Sequence, residues 1–434
     1  MAAGRRHNSA PCANQRRRLP VMTRLAANIG WLYLLQALNL LLPLLSVPYL
    51  TRTLQADGFG QMALALAIAQ YLALVTDYGF NLSATRRAAQ LMAAQAPVGE
   101  LFWQTQWTKT ALALLSVVAL LIVVAMAAPQ EPAILLAAAI AAPASVVFPV
   151  WYCQASQRMG LLAACTLAAR LICLALLFVV VQGPDDVAAA VLLTAGAPLL
   201  AGLFAWPLLR SAALALRPPS LPGMAQALRD GWTLFLSSAA IGAYVNSAVP
   251  ILRLFTDDRT VGLYAAAEKL IRAAQSAMVP VSQAAFPHVN TLLIQSPAAA
   301  LAFLRRLAGW LVAAGLLIWL ASLVLARPVV TVLFGPGFID AALILVILAP
   351  VPLLVALSNL LGTQTLLTFG HHATFARVVI ASAAIFFALA LILAWQFAGI
   401  GMAFAVLATE AAVTVLMLLA VQRRGVALLR KSNV

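Results

Sequence analysis

Charge is what this sequence has least of. Only 9% of its 434 residues are charged, against roughly 25% in an ordinary globular protein. A soluble chain of this length could not cover its surface with so few charges. A multidomain soluble protein is therefore excluded, and the excess of hydrophobic residues, 64% of the chain, must face lipid. Cysteine is also sparse. Cys12, Cys153, Cys165 and Cys173 form no CxxC pair, and three of them lie in or beside apolar runs, where free cysteine acts as a small hydrophobe. The four histidines include one adjacent pair, His371–His372, whose side chains diverge on a helix. No metal and no other cofactor is expected. Long outward loops are missing too: "APQEP" at 128–132, "QGPDD" at 182–186 and "QFAGI" at 396–400 are barely turns. A membrane enzyme that polymerises or transfers lipid-linked glycans would need a sizeable outward loop with acidic or histidine residues, so an enzyme is not expected.

What is present is long apolar runs and basic residues. At about 20 apolar residues per crossing, spans are predicted at 28–50, 59–79, 102–127, 132–153, 160–181, 187–209, 231–254, 261–287, 305–327, 339–362, 374–396 and 398–421. The net charge of +15 arises from 27 Lys+Arg against 12 Asp+Glu. Basic residues that punctuate apolar runs point to cytosolic loops rather than to nucleic acid. With the N-terminus in the cytosol, 20 of the 27, Lys109 among them, fall on inward segments. Only Arg52, Arg253, Arg259 and Arg327 fall outward. That split supports an even number of spans and cytosolic termini. Residues 1–26 are read as a basic cytosolic tail, probed by no apolar period, and 423–434 as a second one. Met22 is an alternative start, which would make residues 1–21 an extension.

The halves echo each other. Gly30-Trp31 corresponds to Gly231-Trp232 at an offset of 201, which also superposes Arg52 on Arg253 and Asp57 on Asp258. One residue of slippage then aligns "FGQMALALA" with "VGLYAAAEK". The expected fold is an all-α polytopic membrane protein of about 12 transmembrane helices. Two six-helix bundles, 27–209 and 231–422, are joined by a cytosolic linker at 210–230. A pseudo-twofold axis along the membrane normal relates them, with the substrate path between.

Ionised groups inside spans need a reason, because each costs roughly 2.5–3.5 kcal/mol at the bilayer centre. On the eighth span Glu268, Lys269, Arg272, Gln275, Ser276, Ser282 and Gln283 fall within an arc of about 140°. Such a flank lines an aqueous cavity, and Arg170 in the fifth span adds a further cation. Arg170, Lys269, Arg272 and Gln275 are the candidate substrate-binding residues. Structural pairing is the alternative, since Glu268 and Arg272 stand at i, i+4. Glu410, Glu268 and Asp77 are the candidate ion-coupling acids. Asp77 has Arg86 and Arg87 as potential structural partners, and Glu410 could pair with Arg170 or Arg272 across the bundle. Asp185–Asp186 and Asp257–Asp258 are read as solvated caps of outward turns.

Leu35-Gln36-Ala37-Leu38-Asn39, Pro48-Tyr49-Leu50-Thr51-Arg52, Phe59-Gly60 and Asp77-Tyr78-Gly79-Phe80 with Ser83-Ala84 and Arg86 form a pattern. So do "FPVWYCQASQRMGLLA" at 148–163 and "VGLYAAAEKLIRAAQSAMVPVSQAAFP" at 261–287. From about residue 27 to 421 the chain resembles the polysaccharide (O-antigen type) flippases of the multidrug/oligosaccharidyl-lipid/polysaccharide exporter superfamily. Cys153 and Ala155 depart from the more usual Phe and Gly. The resemblance implies a bacterial inner-membrane carrier that flips an undecaprenyl-pyrophosphate-linked oligosaccharide to the periplasmic leaflet. It also implies lipid-linked oligosaccharide and membrane lipid as partners, with a polysaccharide polymerase and a chain-length regulator as candidates. An ion-coupled small-molecule exporter of the same superfamily is the alternative.

Overall fold

A computed structural model describes residues 19–209 and 216–424, with the side chains of 19–41, 277–284, 286, 287 and 297 left aside. Most of the expected tails and residues 210–215 of the expected linker lie outside the described residues. Among the described residues there are helices and no strand, as a lipid environment demands of an open chain: every backbone group must be satisfied within its own segment.

In chain order the α-helices are α1 (Leu19–Asp77), α2 (Phe80–Ala93), α3 (Gly99–Ala127), α4 (Pro132–Ala137), α5 (Ala141–Val147), α6 (Val150–Ala155), α7 (Met159–Val180) and α8 (Val187–Leu209). The second half holds α9 (Leu221–Asn246), α10 (Ala248–Arg253), α11 (Asp258–Gln295), α12 (Pro297–Phe334), α13 (Ala341–Leu348), α14 (Val351–Leu361) and α15 (His372–Arg423). Each of the twelve expected spans falls on helix. Two helices carry two spans apiece. Helix α1, of 59 residues, breaks at Gln55 (φ 58°), and α15, of 52, breaks at Ala398 (φ 52°). In α15 the arms fold back so tightly that a Cβ on Gly401 would strike the Leu393 carbonyl.

Among the described residues eight segments are long and apolar enough to cross a membrane, and neither α9 nor the described part of α11 is one of them. Lipid-facing stripes are plain on α3 (Leu114, Leu115, Val118, Leu121, Ile122) and α12 (Leu317, Leu320, Leu323, Val324), all well exposed. Where helices meet, small residues let the backbones close up. A Cβ on Gly202 in α8 would come 2.8 Å from the Val147 carbonyl.

Several boundaries shift from those expected. Helix α9 begins at Leu221, inside the expected 210–230 linker, because Ser220 caps it and Pro222 suits its first turn. Helix α12 runs on past 327 through Pro328 to Phe334, and stops at Gly335 (φ 95°). Helix α15 extends into the expected tail as far as Arg423. The most consequential shift concerns Lys109. Read as a cation of an inward segment, it lies within α3 and is buried there, 1% exposed.

The most extensive packing between the halves joins α1 to α11. A Cβ on Gly60 would collide with the Asp258 carbonyl, and one on Gly262 with the Ala56 carbonyl. Each contact is the other with the halves exchanged, in the register where Gly60 aligns with Gly262.

Candidate functional site

Between the halves lies a cavity of about 560 Å³. Helix α7 contributes Arg170 and α11 contributes Glu268, Lys269 and Arg272. Asp77 at the end of α1 and Asn81 at the start of α2 also line it. The rest is mainly apolar, with Leu66, Leu174, Leu177 and Leu193 beside the amides of Gln70 and Asn246. Three cations thus face two carboxylates.

The three cations differ in their surroundings. Arg272 donates to Glu268 Oε1 from Nη2 (2.8 Å) and Nε (3.1 Å), and from Nη2 to the Val245 carbonyl (2.8 Å). The i, i+4 pairing considered as an alternative is therefore present, and yet both residues line the cavity. Lys269, one position on, is exposed to the cavity and makes no hydrogen bond or ion pair with the described residues. Arg170 faces Lys269 and Arg272 from the opposite half.

Asp77 finds a partner other than those expected. Lys109 Nζ lies 2.8 Å from Asp77 Oδ1, and Ser145 Oγ donates to the same oxygen at 2.6 Å. Lys109 also donates to the Ser145 carbonyl at 2.6 Å. Arg87 instead pairs with Asp230 at 2.8 Å. The reason is geometric: α2 continues the chain beyond Asp77 and carries Arg86 and Arg87 away from it.

Glu410 also departs from expectation. It does not line the cavity and pairs with neither Arg170 nor Arg272. The Tyr244 hydroxyl donates to Glu410 Oε1, and the Tyr244 ring lies edge-on to Phe386 at 5.2 Å. Gln275, a turn beyond Arg272, is half-buried and outside the cavity lining. Ser282 and Gln283 fall among the side chains not described.

At the loop end, Asp186 accepts the backbone N–H groups of Gln182 and Gly183, each at 2.9 Å. Those bonds hold its carboxyl below the usual range. Asp257 caps α11 through Thr260 N–H at 3.0 Å, and Thr260 holds it low in the same way. Asp258 is not a solvated cap, for Arg253 Nε sits 2.5 Å from its Oδ1.

Sequence reasoning missed Lys109 and Ser145, together with the cavity amides Gln70, Asn81 and Asn246. Gln70 carried a signal, being an amide within an apolar span.

The family described as "Polysaccharide biosynthesis protein" matches residues 25–293. This chain belongs to that family. Its fuller relatives agree: a protein of Escherichia coli (strain K12) named for O-antigen transport is 30% identical over 402 residues, covering 92% of this chain and 97% of that protein. A namesake from Shigella dysenteriae is 28% identical, covering 91% and 99%. Among solved structures, the lipid II flippase MurJ in an inward closed conformation matches with TM-score 0.68 at 10% identity, over 92% of this chain and 87% of that one. The Vibrio cholerae MATE transporter VcmN in its bent form matches with TM-score 0.53 at 15% identity, over 94% and 99%. The family match spans residues 25–293 and the curated relatives extend the likeness over most of the rest, and the chain is a multi-pass membrane protein.

Proposed function

We propose that this protein flips a lipid-linked oligosaccharide, an O-antigen, capsule or exopolysaccharide repeat unit carried on undecaprenyl pyrophosphate. Translocation runs from the cytosolic to the periplasmic leaflet of the bacterial inner membrane, with both termini cytosolic. It proceeds by alternating access between the halves 27–209 and 231–422. The observation that carries this reading is the cavity in which Arg170 of one half faces Lys269 and Arg272 of the other.

A pyrophosphate drawn into the membrane loses its hydration, and guanidinium and ammonium groups replace it with charge-assisted hydrogen bonds. Lys269 has no pair among the described residues to break before it can serve. Because the cations come from both halves, a bound headgroup interacts differently with each arrangement of the halves, which any ligand-driven switch requires. The reciprocal contact of Gly60 and Gly262 supports two equivalent halves meeting about a local twofold, and relatives named for O-antigen transport support the substrate class.

Glu410 supplies the coupling ion site in this scheme. Its hydrogen-bond donor is a neutral phenol, so the carboxylate can gain or lose a proton, or a Na⁺, without stranding a cation. Asp77, already balanced by Lys109, positions the cavity lining, and Glu268 orients Arg272. A polysaccharide polymerase and a chain-length regulator would take up the flipped unit. No catalytic chemistry is part of this function.

The test is reconstitution. Proteoliposomes with an imposed H⁺ or Na⁺ gradient should carry labelled lipid-linked glycan to the opposite leaflet faster than protein-free liposomes. Equal rates under every gradient would refute the proposal, and drug movement in place of glycan would favour a small-molecule exporter.

A further inference from the structure

A second cavity, of about 430 Å³, opens at the other end of the inter-half seam, where the chain carries few positive charges. Of the four arginines read as outward, two line it: Arg52 from α1 and Arg259 from α11. Its remaining polar residues are Thr51, Gln55, Asp57 and Thr331, over the buried rings of Phe334 and Phe338. Outward arginines run against the usual charge bias of membrane proteins, so two of them in one pocket need a reason.

The internal repeat provides a control for Arg52. Its equivalent in the second half, Arg253, closes on Asp258 at 2.5 Å. Arg52 and Asp57 occupy the matching positions, yet they form no ion pair. Arg52 reaches across to the Val332 carbonyl instead, using one of its five N–H donors. Arg259 makes no ion pair or hydrogen bond with the described residues either. Two exposed guanidinium groups therefore point into a pocket whose single carboxylate, Asp57, does not neutralise them.

We propose that this outward pocket is a phosphoryl-binding site, separate from the central cavity and bridging the two halves. Guanidinium forks match phosphoryl oxygens in pairs, and the pocket has room for one such group with its attached substituent. The phosphoryl group can arrive on a lipid headgroup in the outer leaflet or free in solution. Asp57 opposes the ligand electrostatically and sets an upper limit on its affinity. The site is defined on the purified protein, whether or not the chain flips a glycan.

The experiment uses the full chain carrying Gln55→Cys, labelled by a membrane-impermeant maleimide. Inorganic pyrophosphate and short-chain phosphatidic acid serve as the soluble and lipid-borne probes. At about ten times the Kd, labelling should slow about tenfold. The slowing should vanish when Arg52→Gln and Arg259→Gln are added, and should persist with Lys269→Gln. Asp57→Asn should give the same protection at lower ligand concentration. Protection by phosphatidic acid alone identifies a lipid source, and protection by pyrophosphate alone a soluble one. Labelling unchanged by both probes, or slowed equally in the Arg52→Gln/Arg259→Gln protein, would overturn the proposal. Size-exclusion profiles matching the parent, with Arg327→Gln as a second outward-charge control, keep misfolding from imitating either result.

Discussion

Two carboxylates at membrane depth, Asp77 in the first half and Glu410 in the second, have opposite kinds of partner. Asp77 meets a buried ammonium and a serine hydroxyl, while Glu410 meets a phenol. A carboxylate beside a buried cation is one half of an ion pair, because removing it would strand Lys109 in a low-dielectric interior. One beside a phenol keeps a hydrogen bond in either state. The two surroundings differ in charge, a buried ammonium in the first half and a neutral donor in the second, although both acids look alike in the sequence.

The sharpest way to break that contrast is Lys109→Met. Removing one partner of a buried pair costs about 3–5 kcal/mol. With Asp77 partly exposed, the lower end is expected, read as a loss in unfolding midpoint of the purified protein. Adding Asp77→Asn should recover most of it. A single variant as stable as the parent would show that the pair is not structural. Tyr244→Phe comes next: it deprives Glu410 of its donor and should cost about 1–3 kcal/mol in the same assay. Glu410→Gln should lie within about 1 kcal/mol of the parent in stability, since an amide oxygen still accepts from Tyr244. Its signature is kinetic, namely gradient-driven glycan movement falling to the rate without a gradient. Gradient-driven movement at the parent rate would remove Glu410 from coupling.

The smallest effect belongs to the loop end. Asp257→Ala should cost about 1 kcal/mol as a lost helix cap. The carboxyl of Asp257 is held below its usual value in the folded state. Its contribution is therefore present at neutral pH and is lost as pH falls through that lowered value. Unfolding curves of parent and variant should converge in acid, and a constant difference across pH would contradict the cap.

Much of this was legible in advance, and for one reason: charges inside apolar runs are expensive. That alone brought out Arg170, Glu268, Lys269, Arg272, Asp77 and Glu410, and the structure gathers all but the last around one cavity. The break at Gln55 falls in the polar interruption between the first two predicted spans, and that at Ala398 falls in the tight turn read at 396–400. Pairing was not legible. Lys109 stands seven residues inside the predicted third span, but its charge read as a loop signal, since nothing local shows that Asp77 and Ser145 face it from other helices. Tyr244 counts among the hydrophobic residues in the composition, and nothing local shows that it reaches Glu410, so that partner was not legible. Gln275 shares the periodicity of Arg272 but not its depth in the cavity, which depends on where the facing helices end.

Lys269→Gln tests the central claim most directly, because that ammonium has no partner among the described residues and its loss breaks no pair there. Binding of the lipid-linked glycan to purified protein should weaken by roughly tenfold, the equivalent of about 1.4 kcal/mol, and flipping in proteoliposomes should fall with it at unchanged thermal stability. Parent-like affinity and flipping in a correctly folded Lys269→Gln protein would contradict the account.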